Sequence, residues 1–137
     1  EVKISIGSAY TLREPMTYPI RGRDLVSGLP KEIIATDEQI REALSHSIRI
    51  IVNNIKTIIE ETPPELLSDI FQRGIILAGG GSLIRGLDRL LANQTGIPVR
   101  MMEDPLTAVV RGTGVVLEDM ERLKEVLVED HRGTPLR

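Results

Sequence analysis

The sequence predicts an α/β fold, and three features carry that prediction. A continuous apolar run at residues 74–78 stops at the three glycines Gly79, Gly80 and Gly81 and passes into a leucine-rich helical period. Such a run is typical of a central strand covered on both faces. A second short strand at 99–101 and a further helical segment follow, so the C-terminal half reads strand–helix–strand–helix. That alternation implies an α/β layer with at least one parallel strand pair.

The elements follow in order. Residues 2–6 alternate, with Val2, Ile4 and Ile6 against Lys3 and Ser5, which locally predicts a strand. Residues 7–14 form a turn. Two strands, 17–22 and 30–36, flank Asp24-Leu25-Val26-Ser27-Gly28; Pro19 and Pro30 lack an amide donor, which places them at edges or strand starts of a small hairpin. Thr36 or Asp37 caps a long helix to about Glu61. Its apolar face is Ile40, Leu44, Ile48, Ile51, Ile55 and Ile58, and Ile50, Val52 and Ile59 widen it, so burial on more than one side is expected.

Thr62-Pro63-Pro64-Glu65 predicts a restart, with Thr62 as N-cap, Pro63 at the first helical position and Glu65 closing a capping box. That helix runs to about Gln72 with Leu66, Leu67, Ile70 and Phe71. After the glycines, Ser82 is expected to cap a helix over 82–95, with Leu83, Leu87, Leu90 and Leu91 inward and Gly96 as its C′ residue. Asp104 and Pro105 are expected to open the next helix, through Ala108, Gly112 and Val116. Two interior glycines, Gly112 and Gly114, predict close approach to another backbone. Residues 117–128 read as a charged amphipathic helix and 129–137 as a disordered tail.

Composition excludes several classes of function. Aromatic residues make up 2% of the 137 residues, so stacking platforms for single-stranded nucleic acid are absent. The net charge is −3 with both signs interspersed, which gives no basic face for duplex DNA. There is no cysteine, so disulfides, thiolate catalysis and zinc–thiolate sites are absent. No apolar run approaches the ~20 residues of a membrane-spanning helix. His46 and His131 have no partner at metal-ligand spacing. Asp69 and Asp88 read as surface residues, Asp104 as a helix cap and Met101-Met102 as strand packing. The chain begins at Glu1 rather than Met, and two short strands are few for a stable sheet. A fragment of a longer protein is expected, with the missing strands upstream.

The glycine run is the candidate site. Three glycines leave no Cβ to block an approaching group, and free amides at the start of a helix favour a partly negative partner. The alternative is tight packing alone.

Several stretches together resemble the C-terminal part of the MreB family of bacterial actin homologues. They are Ile6-Gly7-Ser8-Ala9-Tyr10, the segment Arg21-Gly22-Arg23-Asp24-Leu25-Val26-Ser27-Gly28-Leu29-Pro30, and Thr62-Pro63-Pro64-Glu65-Leu66 through Asp69-Ile70 to Arg73-Gly74. With them go Gly79-Gly80-Gly81-Ser82-Leu83-Ile84-Arg85-Gly86-Leu87-Asp88-Arg89-Leu90-Leu91 and Glu103-Asp104-Pro105-Leu106-Thr107-Ala108-Val109. The resemblance extends to about Asp119.

It implies part of an actin-like (ribonuclease H-like) ATPase fold, with ATP between two lobes and this chain in the second. Residues 1–36 would belong to a small subdomain, 37–119 to a larger α/β subdomain and 120–137 to a C-terminal helix and tail. Gly79, Gly80, Gly81 and Ser82 would lie against the adenosine and inner phosphate, and Glu1, Val2 and Lys3, at the end of a helix, against the purine. That helix replaces the strand which alternation predicts at 2–6. For Lys3 the alternative is a frayed surface lysine.

The phosphate loops and the groups that hold Mg2+ lie upstream in the family, so this chain has no catalytic or metal-binding residue of its own and is expected not to hydrolyse ATP alone. The family further implies a cytoplasmic protein at the inner face of the cell membrane, polymerising head to tail, organising cell-wall synthesis and maintaining rod shape. Partners would be other copies of itself, a membrane-anchored adaptor (with 62–72 a plausible surface) and the cell-wall synthesis machinery. Direct membrane contact by this part is not expected. Arg21, Arg23 and Asp24 form either a subunit contact or a solvated hairpin. The helix at 37–61 and the Gly112–Gly114 helix would form a hinge-side scaffold. The alternative function is half of an actin-fold sugar kinase or chaperone ATPase; a bare interaction module is a third.

Overall fold

The computed structural model describes residues 1–123. The expectations for 124–137, including most of the amphipathic helix, the tail and His131, lie outside the described residues. Helix α1 spans Val2–Ile6. Alternation at 2–6 therefore does not make a strand: the segment has no strand partner, and the amides of Ile4 and Ser5 bond back to the Glu1 carbonyl.

The hairpin pairs β1 (Thr17–Arg23) with β2 (Pro30–Thr36) antiparallel, Thr17 opposite Thr36 and Arg23 opposite Pro30. Asp24 fastens the turn: its carboxylate accepts the amides of Val26 and Ser27 and pairs with Lys31 at 3.0 Å. The Ser27 amide, then Lys31 and then the Val26 amide hold its pKa below the usual carboxylate value. Leu25 and Val26 at the tip are fully exposed.

Helix α2 (Asp37–Glu61) starts at Thr36, whose hydroxyl accepts the Gln39 amide while the Gln39 side chain accepts the Thr36 amide. This reciprocal cap satisfies two otherwise orphaned donors. Asp37, left over from capping, exchanges hydrogen bonds with Met16: the Met16 amide reaches its carboxylate at 3.0 Å, and the Asp37 amide reaches the Met16 carbonyl at 2.8 Å. The two chain segments that lead into and out of the hairpin are thus tied at its base.

Only one stripe of α2 is covered. Ile48 and Val52 are buried and Leu44 and Ile55 half-buried, packed on Leu87, Leu91 and Ala9, whereas Ile50, Ile51 and Ile58 are exposed. The broad apolar face expected to be buried on several sides is covered only along this stripe, and Ile50, Ile51 and Ile58 lie outside it.

Helix α3 (Pro64–Arg73) begins one residue later than its capping signal predicts. Pro63 occupies the N-cap and Pro64 follows, while the Thr62 hydroxyl donates to the Ile58 carbonyl at 2.6 Å and closes α2 instead. Strand β3 (Ile75–Leu77) pairs parallel with β4 (Val99–Met101), Ile75 opposite Val99. Ile76 remains 60% exposed, so β3 is not covered on both faces, and Met101 and Met102 are exposed rather than packed.

The helix expected over 82–95 is divided. Gly80–Leu83 is a 3₁₀ turn and α4 is Leu87–Thr95. Gly86, with φ +72°, separates them, and Gly96 ends α4 in the left-handed conformation as predicted. Leu87 and Leu91 go inward, but Leu83 is exposed.

Helix α5 is Ala108–Glu118, with Thr107 at its N-cap. Asp104 does not cap it; its carboxylate accepts the Thr107 hydroxyl, which keeps residues 103–107 in turns. A Cβ placed on Gly112 or Gly114 would meet nothing within 4 Å, so the expected close backbone neighbour is not among the described residues.

Candidate functional site

The glycine run is shaped by hydrogen bonds on its first and last residues. Gly79 has φ +79° and ψ 171°, a combination open essentially to glycine alone. Its amide donates to the Pro105 carbonyl at 2.6 Å. Its carbonyl accepts both the Ser82 hydroxyl at 2.7 Å and the Ser82 amide at 3.2 Å. Ser82 is buried and its side chain is engaged within the turn, so it shapes the loop rather than capping a long helix.

Between these anchors the backbone is bare. Gly80 and Gly81 are exposed, and among the described residues their amides have no hydrogen-bond partner. A Cβ on Gly81 would meet nothing within 4 Å, and one on Gly80 only Leu106 Cδ2 at 3.4 Å, an ordinary contact. Tight packing within the described residues therefore does not require glycine at 80 or 81.

A groove of about 420 Å³ opens beside this backbone, lined by Lys3, Ile4, Gly80, Leu83, Ile84 and Leu106. Two stretches about 80 positions apart in sequence meet there, Lys3 on one wall and Gly80 on the other. Glu1 and Val2 face a separate cavity with Tyr18, Pro19, Ile20 and Arg21. The groove's apolar lining, Ile4, Leu83, Ile84 and Leu106, was not legible as site residues. Leu83 in particular carries the helical spacing of a core position, and only the break at Gly86 turns it outward.

The junction between the walls is tightly fixed. The Ala9 amide donates to the Arg85 carbonyl at 2.8 Å, and Ser8 forms a parallel bridge with Arg85. Gly86 lies under Tyr10, where an added Cβ would come within 2.7 Å of the Tyr10 Cβ. The Arg89 guanidinium sits 5.2 Å from the Tyr10 ring centre. Ser8 is fully buried and its hydroxyl accepts from Arg41, which also pairs with Asp37 at 2.9 Å. Hydrogen bonding by the Met16 amide, opposed by desolvation and reinforced by Arg41, holds the Asp37 pKa below the ordinary carboxylate value.

Arg21 and Arg23 lie on the exposed hairpin, Arg21 paired with Glu32 and Arg23 with the Gly28 carbonyl. Among the described residues there is no cluster of three or more potential metal ligands, and no helix is long and apolar enough to cross a membrane.

Comparison with known proteins gives a consistent result. A family model described as MreB/Mbl protein matches residues 1–125. The chain is 43% identical over 123 residues to the cell shape-determining protein Mbl of Bacillus subtilis, covering 90% of this chain and 37% of that protein. It is 48% identical over 117 residues to the cell shape-determining protein MreB of Escherichia coli, covering 85% of this chain and 34% of that protein. The chain thus spans little more than a third of the length of these relatives. Among solved structures it is similar to MreB5 of Spiroplasma citri bound to ADP, with TM-score 0.83 and 36% identity over 90% of this chain and 38% of that one. The same protein bound to AMPPNP gives TM-score 0.82 at 36% identity, covering 91% of this chain and 38% of the other.

Proposed function

Because the chain belongs to the MreB/Mbl family and carries part of its actin-like fold, we propose that it supplies the second-lobe wall of an ATP site in a filament-forming cell-shape protein. The observation that carries this reading is the bare Gly80–Gly81 backbone, with two amides unpartnered among the described residues, of which Gly80 lines a groove whose other wall bears Lys3. Exposed amides without a side chain suit phosphate oxygens, which gain more from such donors than neutral acceptors do. Ile4, Leu83, Ile84 and Leu106 offer apolar surface for a purine. Lys3 contributes positive charge at the rim. Glu1 and Val2 sit next to this wall, toward the hairpin, rather than in the groove itself. Gly79 and Ser82 hold the run in place.

ATP, when bound, supplies a phosphoanhydride whose hydrolysis separates two states of the lobes. This chain's residues bind and orient the nucleotide. Mg2+ and the attacking water are assigned to the first lobe, since positioning and metal electrostatics make up most of phosphoryl-transfer catalysis. Head-to-tail contacts are heterologous and do not close, so a protein whose lobes approach on binding ATP would grow filaments. Cytoplasmic filaments at the inner membrane face, working with an adaptor and the wall-synthesis machinery, would account for the names of the relatives. A sugar kinase or chaperone ATPase is less favoured, since relatives at 43% and 48% identity are cell shape-determining proteins.

The test is sedimentation of a family-length polypeptide carrying this sequence, with and without ATP, beside Gly80→Glu. The parent is expected to pellet with ATP and the variant to stay in the supernatant. A parent that never pellets would overturn the filament reading.

A further inference from the structure

Arg85 joins the two walls of the groove, and we infer that it is a positioning residue that sets their separation. The inference rests on the nucleotide reading of the groove and adds a determinant that does not line it.

Arg85 follows directly on Leu83 and Ile84, which line one wall. Its guanidinium Nη1 donates across to the Ile4 carbonyl at 3.3 Å, on α1, whose Lys3 and Ile4 line the other wall. Helix α1 has five residues and cannot hold its position by its own hydrogen bonds. The Lys3 carbonyl is taken by the Gly7 amide at 2.9 Å; the Ile4 carbonyl, one residue on, is met by Arg85.

The main chain of Arg85 performs a separate task. Its carbonyl accepts the Ala9 amide at 2.8 Å and fixes the loop that follows α1. Replacing the side chain leaves that bond in place. The side chain is exposed, so its removal opens no cavity in the core. The main chain therefore ties the two segments together, and the guanidinium holds α1 against the turn that follows the glycine run. An arginine suits this work because its charged donor strengthens a bond to a neutral carbonyl. Without it, α1 is held by its buried Ile6 and by the main-chain bond between Ala9 and Arg85 beyond its C-terminal end, and Lys3 and Ile4 gain freedom relative to Gly80.

The test uses a family-length polypeptide carrying this sequence, titrated with a fluorescent N-methylanthraniloyl ATP and followed by anisotropy. Arg85→Ala is expected to weaken binding about twofold to tenfold, the range of one typical hydrogen bond, with a thermal midpoint lowered by no more than a few degrees. Arg85→Lys, which keeps a charged donor, is expected to recover most of the affinity; a merely structural loss would not be rescued in this way. A second readout is the spread of bound-probe lifetimes, expected to broaden in Arg85→Ala as the wall loosens. Equal affinity in parent and Arg85→Ala would overturn the inference while leaving the nucleotide site standing. A parent that does not bind the probe would overturn the nucleotide reading and this inference with it.

Discussion

Replacing Gly80 by alanine separates a glycine kept for the fold from one kept for a ligand. Gly80 does not take a left-handed φ, and its added Cβ would stand 3.4 Å from Leu106 Cδ2, at van der Waals distance. The backbone therefore accepts a side chain, and the smaller entropy of the unfolded chain should raise stability by about 0.4–1 kcal/mol. That corresponds to a rise of roughly 1–4 °C in thermal midpoint for a domain of this size. The same methyl projects beside the backbone amides that the ligand is proposed to approach. Steric intrusion into a filled site costs about 1–3 kcal/mol, or roughly fivefold to 150-fold in ATP affinity. Differential scanning fluorimetry and calorimetric titration with ATP on one preparation read both numbers. The reasoning requires opposite signs, stability up and affinity down. Lower stability together with lower affinity would show that the fold itself needs the glycine. Unchanged affinity with normal stability would remove Gly80 from the nucleotide contact.

Other expectations follow from the packing. Gly74→Ala should destabilise by about 2–4 kcal/mol in urea unfolding, since φ is +79° and the new Cβ would lie 2.5 Å from the Pro98 carbonyl oxygen. Leu91→Ala should cost about 2–5 kcal/mol by the same assay, because Leu91 is fully buried between α2 and α4. Arg21→Ala should change stability by less than about 0.5 kcal/mol, since its partner Glu32 and Arg21 itself are both open to solvent. The Asp37 pKa is lowered in the folded chain, so its contribution is complete above the unfolded carboxylate value near pH ~4 and disappears as pH falls through the lower folded value. The urea midpoint of Asp37→Asn should accordingly lie below that of the parent at pH 7, and the gap should narrow toward pH 3.

Much of this architecture is legible in the sequence because local signals and tertiary needs agree. Thr36, one of the two residues expected as the cap, opens α2, Gly96 stops α4, and the hairpin ends fall within a residue of their predicted places. The misread positions have two physical origins. Apolar periodicity reports which residues seek cover, not whether this chain supplies it, so Ile51, Ile58, Leu83 and Ile76 read as core and stand exposed. Capping signals fail where a hydroxyl has a competing acceptor: Thr62 turns back to Ile58, and Ser82 to Gly79. At the site, the glycine run is visible as three residues without side chains, whereas the meeting of Lys3 with Gly80 is a matter of topology that no local pattern encodes. The strand alternation at 2–6 misleads for the same reason, and the family resemblance corrects it to a helix.

The central claim is the place of the nucleotide, and photo-crosslinking tests it most directly. A family-length polypeptide carrying this sequence, irradiated with 8-azido-ATP and digested, is expected to carry the label on peptides containing Lys3–Ile4 or Gly80–Ile84, and excess ATP is expected to suppress it. Label confined to other peptides, or label that ATP does not displace, would contradict the assignment of this groove as the nucleotide wall.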